Sequence, residues 1–344
     1  LPLLTGRATL RGGAAVLVLT AVLGGALPGC SAKIVATAPP TIEPARAAVS
    51  PPTVSAPAGV VIAADLRFSA ALFDAGTGSL VCLSPGALTI IGPAGALRTV
   101  TLPATATAIT GDGAGTAFVA DRGGVLTVEL AGGRVRRSPV AGQDGTEFTA
   151  ISRRRDGRLV LGGAGGGGGV ALTLTPELTV SHAATGFARV DDLATVGETT
   201  VVLDRAQTSV TELDAGGDAG LALRAGLGAT RIASDPAGRI LVSDTRGGQL
   251  MVFGVDPLIQ RQGFPVADAP FGLTGSARLA WVSQTGSNTV VGYDLATGIP
   301  VEKVRYPTVR QPDSLAFDDA SDTLYVVSGS GGGVQVIRDA AGAR

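Results

Sequence analysis

From residue 59 onward the chain repeats itself about every forty residues, and this period limits what the chain can fold into more than any other property of the sequence. The two best-matching copies lie at opposite ends. One reads Ala71-Leu72-Phe73-Asp74, then Ser79-Leu80-Val81-Cys82-Leu83-Ser84, then an apolar run over 88–91. The other reads Leu315-Ala316-Phe317-Asp318, then Thr323-Leu324-Tyr325-Val326-Val327-Ser328, then an apolar run over 334–337. Each copy is a short apolar strand, a turn with Asp or Gly, a longer apolar strand, a Gly/Ser loop and a further strand. The first-strand anchor recurs at Ala71, Ile109, Ile151, Leu193, Ile232, Leu273 and Leu315, with intervals of 38, 42, 42, 39, 41 and 42 residues.

Second strands are predicted at 116–120, 158–161, 199–203, 239–242 and 279–282, and third strands at 125–130, 170–174, 210–213, 249–253 and 289–293. Turn signals separate them, such as Asp156-Gly157, Pro236-Ala237-Gly238 and Ala296-Thr297-Gly298. No helical period of useful length follows residue 30. Seven such units, each with up to four short strands, predict an all-β chain folded as a seven-bladed β-propeller. Strands such as Leu80-Val81-Cys82-Leu83 are apolar on both faces, as a strand covered on both sides requires. The last unit has three clear strands, while Gly59-Val60-Val61-Ile62 has no unit of its own. We therefore expect the N-terminal segment to supply the outer strand of the seventh blade and close the ring.

One stretch carries a resemblance. Residues 280–294, Ala-Trp-Val-Ser-Gln-Thr-Gly-Ser-Asn-Thr-Val-Val-Gly-Tyr-Asp, followed by Ala296-Thr297-Gly298, resemble the YVTN-type propeller repeat. Asp244-Thr245-Arg246-Gly247-Gly248-Gln249-Leu250 is a looser copy and resembles NHL-type propellers as well. The WD40 signature is absent, since the only tryptophan is Trp281. The resemblance implies a fold and leaves the activity open.

The N-terminal part reads as an address. Arg7 and Arg11 precede an uncharged run over 14–26, too short to span a bilayer, which needs about 20 residues, but suited to a signal-peptide core. Leu27-Pro28-Gly29-Cys30 then resembles the lipobox of bacterial lipoproteins, although Pro28 departs from the usual residue at its position. The resemblance implies cleavage before Cys30 and a diacylglycerol thioether on its sulfur, an anchor that holds a protein on a membrane when two or more chains are attached. Residues 30–58 contain Pro39, Pro40, Pro44, Pro51, Pro52 and Pro57 and read as a semi-extended spacer that lifts a domain off the membrane. Thr37, Thr41, Ser50, Thr53 and Ser55 are candidate acceptors for O-linked sugars. The expected organisation is a signal peptide over 1–29, lipidated Cys30 and linker over 30–58, the propeller over 59–339 and a short tail over 340–344. Residues 40–44, 47–52, 199–210 and 289–307 also resemble conserved mycobacterial envelope lipoproteins, which implies an actinobacterial protein on the outer leaflet of the cell membrane.

Charge and rare residues narrow the chemistry. The formal net charge is −1, so no basic surface argues for nucleic acid. His182 is the only histidine, which leaves no recognisable zinc set or Ser–His or Cys–His pairing, and we expect it on a surface loop. With Cys30 lipidated, Cys82 is expected to be a lone buried hydrophobe, paired to Cys30 only if lipidation fails. The run Gly162-Gly163-Ala164-Gly165 through Gly169 lacks the Lys-Ser/Thr of a phosphate loop and reads as a flexible loop between strands. No catalytic set, metal site or cofactor is expected.

The charged residues near the predicted loops suggest a surface. In a propeller, loops between second and third strands share a face with the connections between blades. That places Asp121, Arg122, Asp204, Arg205, Asp244, Arg246 and Gln284 with Glu147, Arg189, Asp191, Asp192, Arg231 and Asp313 around one axial mouth. The competing reading is that each Asp caps a turn and pairs with the following Arg. The expected function is a membrane-anchored, monomeric scaffold that binds an envelope protein or a glycan. The alternatives are a small-molecule carrier or a propeller hydrolase or lactonase with an axial site, needing clustered carboxylates or a metal.

Overall fold

The computed structural model describes residues 40–342, apart from 104 and 166. Among them the chain forms strands and turns, with no helix. The first strand, β1 (Val60–Ile62), belongs to the last blade. Blade 1 is β2 (Ala70–Asp74), β3 (Ser79–Ser84), β4 (Ala87–Ile91) and β5 (Leu97–Thr101). Blade 2 is β6 (Ala108–Gly111), β7 (Thr116–Asp121), β8 (Gly124–Glu129) and β9 (Val135–Pro139). Blade 3 is β10 (Glu147–Arg153), β11 (Leu159–Gly165), β12 (Gly168–Leu174) and β13 (Val180–Phe187). Blade 4 is β14 (Asp192–Val196), β15 (Thr199–Asp204), β16 (Ser209–Leu213) and β17 (Ala219–Arg224). Blade 5 is β18 (Ala229–Ser234), β19 (Ile240–Asp244), β20 (Gln249–Gly254) and β21 (Ile259–Pro265). Blade 6 is β22 (Pro270–Gly275), β23 (Ala280–Gln284), β24 (Thr289–Asp294) and β25 (Val301–Pro307). Blade 7 is β26 (Pro312–Asp318), β27 (Thr323–Ser328) and β28 (Val334–Ile337), completed by β1.

The molecule is thus a seven-bladed β-propeller of four-stranded antiparallel sheets, as the repeat requires. The closing strand sits where the orphan segment suggested. Val60 pairs with Val336, Val61 with Gln335 and Ile62 with Val334, so the two ends of the propeller meet in one sheet.

Apolar clusters fill the seams between consecutive blades. Val201 and Leu203 of blade 4 meet Ile240 and Val242 of blade 5, and Val81 and Leu83 of blade 1 meet Val119 and Leu126 of blade 2. The seam between blades 7 and 1 joins Val327 and Val334 to Leu80 and Cys82. This explains the second strands: β3, β15, β19 and β23 are buried at every position because a neighbouring blade covers each face. Each fully buried Val or Leu contributes about 1.5–3 kcal/mol, so the seams dominate the stability. Cys82 is fully buried in this packing, and burial pushes its thiol pKa far above the ordinary range, which makes it inert.

Three expectations need correction. The glycine run is no flexible loop: β11 and β12 continue through it as a paired ladder from Leu159↔Leu174 to Gly165↔Gly168. Glycine is needed because the connection into blade 4 lies directly against the strand. A Cβ on Gly162 would stand 2.1 Å from Val190 Cγ1. His182 is not on a loop either. It lies on β13, the outer strand of blade 3, with Nε2 3.4 Å from Asp218 Oδ1. The tail beyond residue 339 is tied down as far as it is described. Ala340 and Ala341 are buried in the seam around Trp281, and the Tyr306 hydroxyl donates to the Ala340 carbonyl at 2.8 Å.

The spacer reading also fails for residues 40–58. They form no regular element, yet Ala45 and Ser50 are buried and the segment hydrogen-bonds to the propeller at several points. We call this segment the strap. Ser50 is consequently no sugar acceptor, since its hydroxyl donates to the Thr285 carbonyl at 2.6 Å.

Candidate functional site

Most of the predicted residues divide into three groups with different roles, while Arg122, Glu147, Arg189 and Asp191 sit in ion pairs of their own. The first group builds the face. In blades 2, 4, 5 and 6 the second strand ends in a polar residue, Asp121, Asp204, Asp244 or Gln284, that holds the connection arriving from the previous blade. Asp204 accepts the N–H groups of Ala188 at 2.8 Å and Arg189 at 3.0 Å, and that of Gln207 in its own turn at 3.0 Å. Asp244 repeats the pattern with Leu227 at 2.9 Å, Gly228 at 2.8 Å and Gly247 at 2.9 Å. Asp121 accepts from Thr105 and from Arg137 Nε at 2.9 Å. Gln284 donates to the Ala267 carbonyl at 2.9 Å. These side chains are buried and fully engaged, so they are supports for the face rather than ligand contacts.

The pairing with the following Arg does not hold. Arg122 reaches Glu147 in an exposed ion pair instead. Asp191 receives Arg189 Nε at 3.0 Å and the Arg205 N–H at 2.9 Å.

The second group lines the axis. The seven inner strands surround a channel of about 380 Å³. Of the residues expected at its mouth, only Asp192, Arg231 and Asp313 line it, and Arg153 joins them. Arg231 starts on blade 5 and crosses to blade 1, where Nη2 donates to the Ser69 carbonyl at 3.2 Å. Its guanidinium carbon lies 5.2 Å from the ring centre of Phe271 on blade 6. Burial raises the carboxyl pKa of Asp192 and of Asp313, against the opposing pull of Arg231. The wall is otherwise rich in hydroxyls, among them Thr110, Ser152, Thr195, Ser234, Thr274 and Ser314. Among the described residues no aromatic side chain lines this channel. Trp281 is fully buried in a seam and stacks on Phe317 at 5.6 Å.

The third group holds the strap. Ile42 donates its N–H to the Ala206 carbonyl of blade 4 at 2.7 Å. Arg246 of blade 5 donates Nη2 to the Glu43 carbonyl at 2.8 Å, and Arg205 donates to the Ala45 carbonyl. Gln311, on the connection into blade 7, donates to the Ala48 carbonyl at 3.0 Å and accepts the Ser50 N–H at 2.9 Å. Arg310 donates to the Ser50 carbonyl at 3.1 Å, and Asn288 of blade 6 to the Pro51 carbonyl at 2.9 Å. Gln311 also donates to Asp313 Oδ1 at 2.8 Å, which links the strap to the channel mouth. Sequence reading missed Gln311, Asn288 and Arg310, because their role exists only once the strap lies on them.

Among the described residues no three His, Cys, Asp or Glu side chains gather as a metal site would need, and no helix is long and apolar enough to cross a membrane. Cys30 lies outside the described residues.

Fold and face together define a seven-bladed β-propeller with a polar axial channel and an extended segment bound across four blades. No protein-family model matches the chain, and no curated protein does. Solved structures do resemble it. A chain of hydrazine synthase from Kuenenia stuttgartiensis is 14% identical, with 82% of this chain and 98% of that one covered and a TM-score of 0.68. Virginiamycin B lyase from Staphylococcus aureus is 12% identical, over 78% of this chain and 95% of that one, with a TM-score of 0.65. A chain of the mitotic checkpoint complex is 12% identical over 86% and 96%, with a TM-score of 0.70. At these identities the likeness is one of fold alone.

Proposed function

We propose that this protein is a membrane-anchored envelope lipoprotein of actinobacterial type, and that its propeller is a scaffold for binding a protein or glycan partner. Cys30 carries the lipid in this reading. The observation that supports a binding role is the mouth of the channel. Asp192, Arg231 and Asp313 present mixed charge there from three separate blades, on a wall of seven strands whose seams are densely packed. A rigid frame that projects polar groups into a concavity is suited to recognition.

Lyase chemistry finds less support. A catalytically inactive form of the Staphylococcus aureus lyase is one with a histidine replaced, whereas the lone His182 here lies on an outer strand, away from the channel. The channel itself, with its volume and hydroxyl lining, favours a small polar molecule as the second reading.

Crosslinking in living cells, followed by capture of the full chain, tests the proposal. A specific protein or glycan recovered with the wild type and lost with Arg231→Ala combined with Asp313→Ala is the expected result. Recovery of nothing specific, or recovery that the double substitution leaves unchanged, overturns it. Native mass spectrometry of the purified chain then decides for or against a small molecule in the channel.

A further inference from the structure

We propose that the strap lies in a receptor groove for an extended polypeptide and occupies it as a stand-in for a partner's segment. The inference goes beyond the channel-mouth reading: the groove is a separate binding site, and its partner class is an extended, proline-containing peptide with small side chains where Ala45 and Ser50 now sit.

The groove recognises backbone. Arg205, Arg246, Gln311, Arg310 and Asn288 each donate to a main-chain carbonyl of the strap, at Ala45, Glu43, Ala48, Ser50 and Pro51. These donors come from blades 4, 5 and 6 and the connection into blade 7, so the strap is gripped along its length. A chain rich in proline offers carbonyls but few N–H groups, which matches a groove built mainly of donors. Two strap side chains are buried. Ala45 is buried against Gly228, where a Cβ would stand 2.9 Å from the Ala45 Cβ, so neither position has room for a larger group. Ser50 is buried with its hydroxyl on the Thr285 carbonyl. Glu43 and Arg46 are exposed and make only a loose 3.8 Å pair with each other.

The fit is incomplete. Arg205 Nε and Gln207 Nε2 are buried, and neither has a hydrogen-bond partner among the described residues. Both side chains belong to the turn whose Ala206 carbonyl receives the Ile42 N–H. A buried donor left unmatched weakens the bound state. A segment that brings an acceptor to that turn would bind the same groove better than the strap does, which is what exchange requires.

The test uses the purified full chain and a fluorescently labelled synthetic peptide of residues 40–52. Ala45→Glu forces a long charged side chain against Gly228 and should lift the strap. Trypsin cleavage after Arg46 should then accelerate at least tenfold over the wild type. The labelled peptide should bind the Ala45→Glu protein saturably, and the wild type at least tenfold more weakly because its groove is filled. Adding Arg246→Ala and Gln311→Ala to Ala45→Glu should weaken peptide binding at least tenfold again. The proposal is overturned if cleavage after Arg46 is unchanged by Ala45→Glu. It is equally overturned if the freed groove does not bind the peptide, or if the triple variant binds as well as Ala45→Glu alone. No cell or lipid enters this titration, so a negative capture in cells beside a positive titration would remove the anchored-scaffold reading and leave the groove standing.

Discussion

At the scale of single residues, the charged groups at the face separate by what their removal would leave behind. Asp244 is fully buried and satisfies three backbone N–H groups. Asp244→Ala strands those donors and should cost about 3 kcal/mol in urea unfolding. Arg122→Ala removes only an exposed ion pair and should change stability by less than about 1 kcal/mol. An equal effect of the two substitutions would contradict the division between supports and free surface. Asp313 adds a pH signature. Its carboxyl pKa is raised in the fold by burial, so the folded protein holds that proton more tightly than the unfolded chain. The destabilisation is absent below the unfolded value near 3.9, grows as pH rises, and is complete above the folded value. Asp313→Asn should therefore raise the Tm at pH 7, with a gain that shrinks to nothing as thermal melts are taken down toward pH 3. A gain independent of pH would assign the effect to something other than this carboxylate.

Among the elements, legibility follows burial. The second strands were the most readable because two blade neighbours demand apolar residues on both faces, as in β3 and β15. The outer strands carry little such signal: β17 is exposed at five of its six positions and β9 alternates only weakly, so their pairing depends on the blade already being there. In β11 the glycines reflect the approach of Val190, a contact between distant segments that no local pattern encodes. The strap was misread for a related reason. Its prolines exclude helix and central strand, but its attachment lies in side chains more than 150 residues away, such as Arg205 and Gln311. The reach of Arg231 to the Ser69 carbonyl depends on ring closure and was not legible in any local pattern. Closure can be tested directly. Removing residues 40–62 takes away both strap and β1, while removing residues 40–57 leaves β1 paired with β28. The longer deletion should cost about 4 kcal/mol more, from three paired residues and the packing of Ile62, or about 8 °C in Tm for a domain of this size. Equal melting of the two truncations would show that β1 does not close the ring.

For the molecule as a whole, the proposed anchoring is separable from the fold. Cys30→Ala should shift the protein from the membrane to the soluble fraction, or leave it unprocessed, with the thermal melt of the propeller unchanged. Retention on the membrane with normal processing would end the lipid reading. The order in which the N-terminal part is attached also has a mechanical meaning. A pull on the N-terminal end of the described chain meets the strap first, at Ile42, then Glu43, Ala45, Ala48, Ser50 and Pro51 in turn, and reaches β1 only afterwards. The grip of the face is thus loaded one hydrogen bond at a time, like a zip, before any load falls on the ring. Peeling residues 40–58 would release roughly 65 Å of slack while every blade stays closed. A steady tug would lengthen the tether and uncover the groove long before it could open the propeller, so the strap is the part of this molecule on which force would act first.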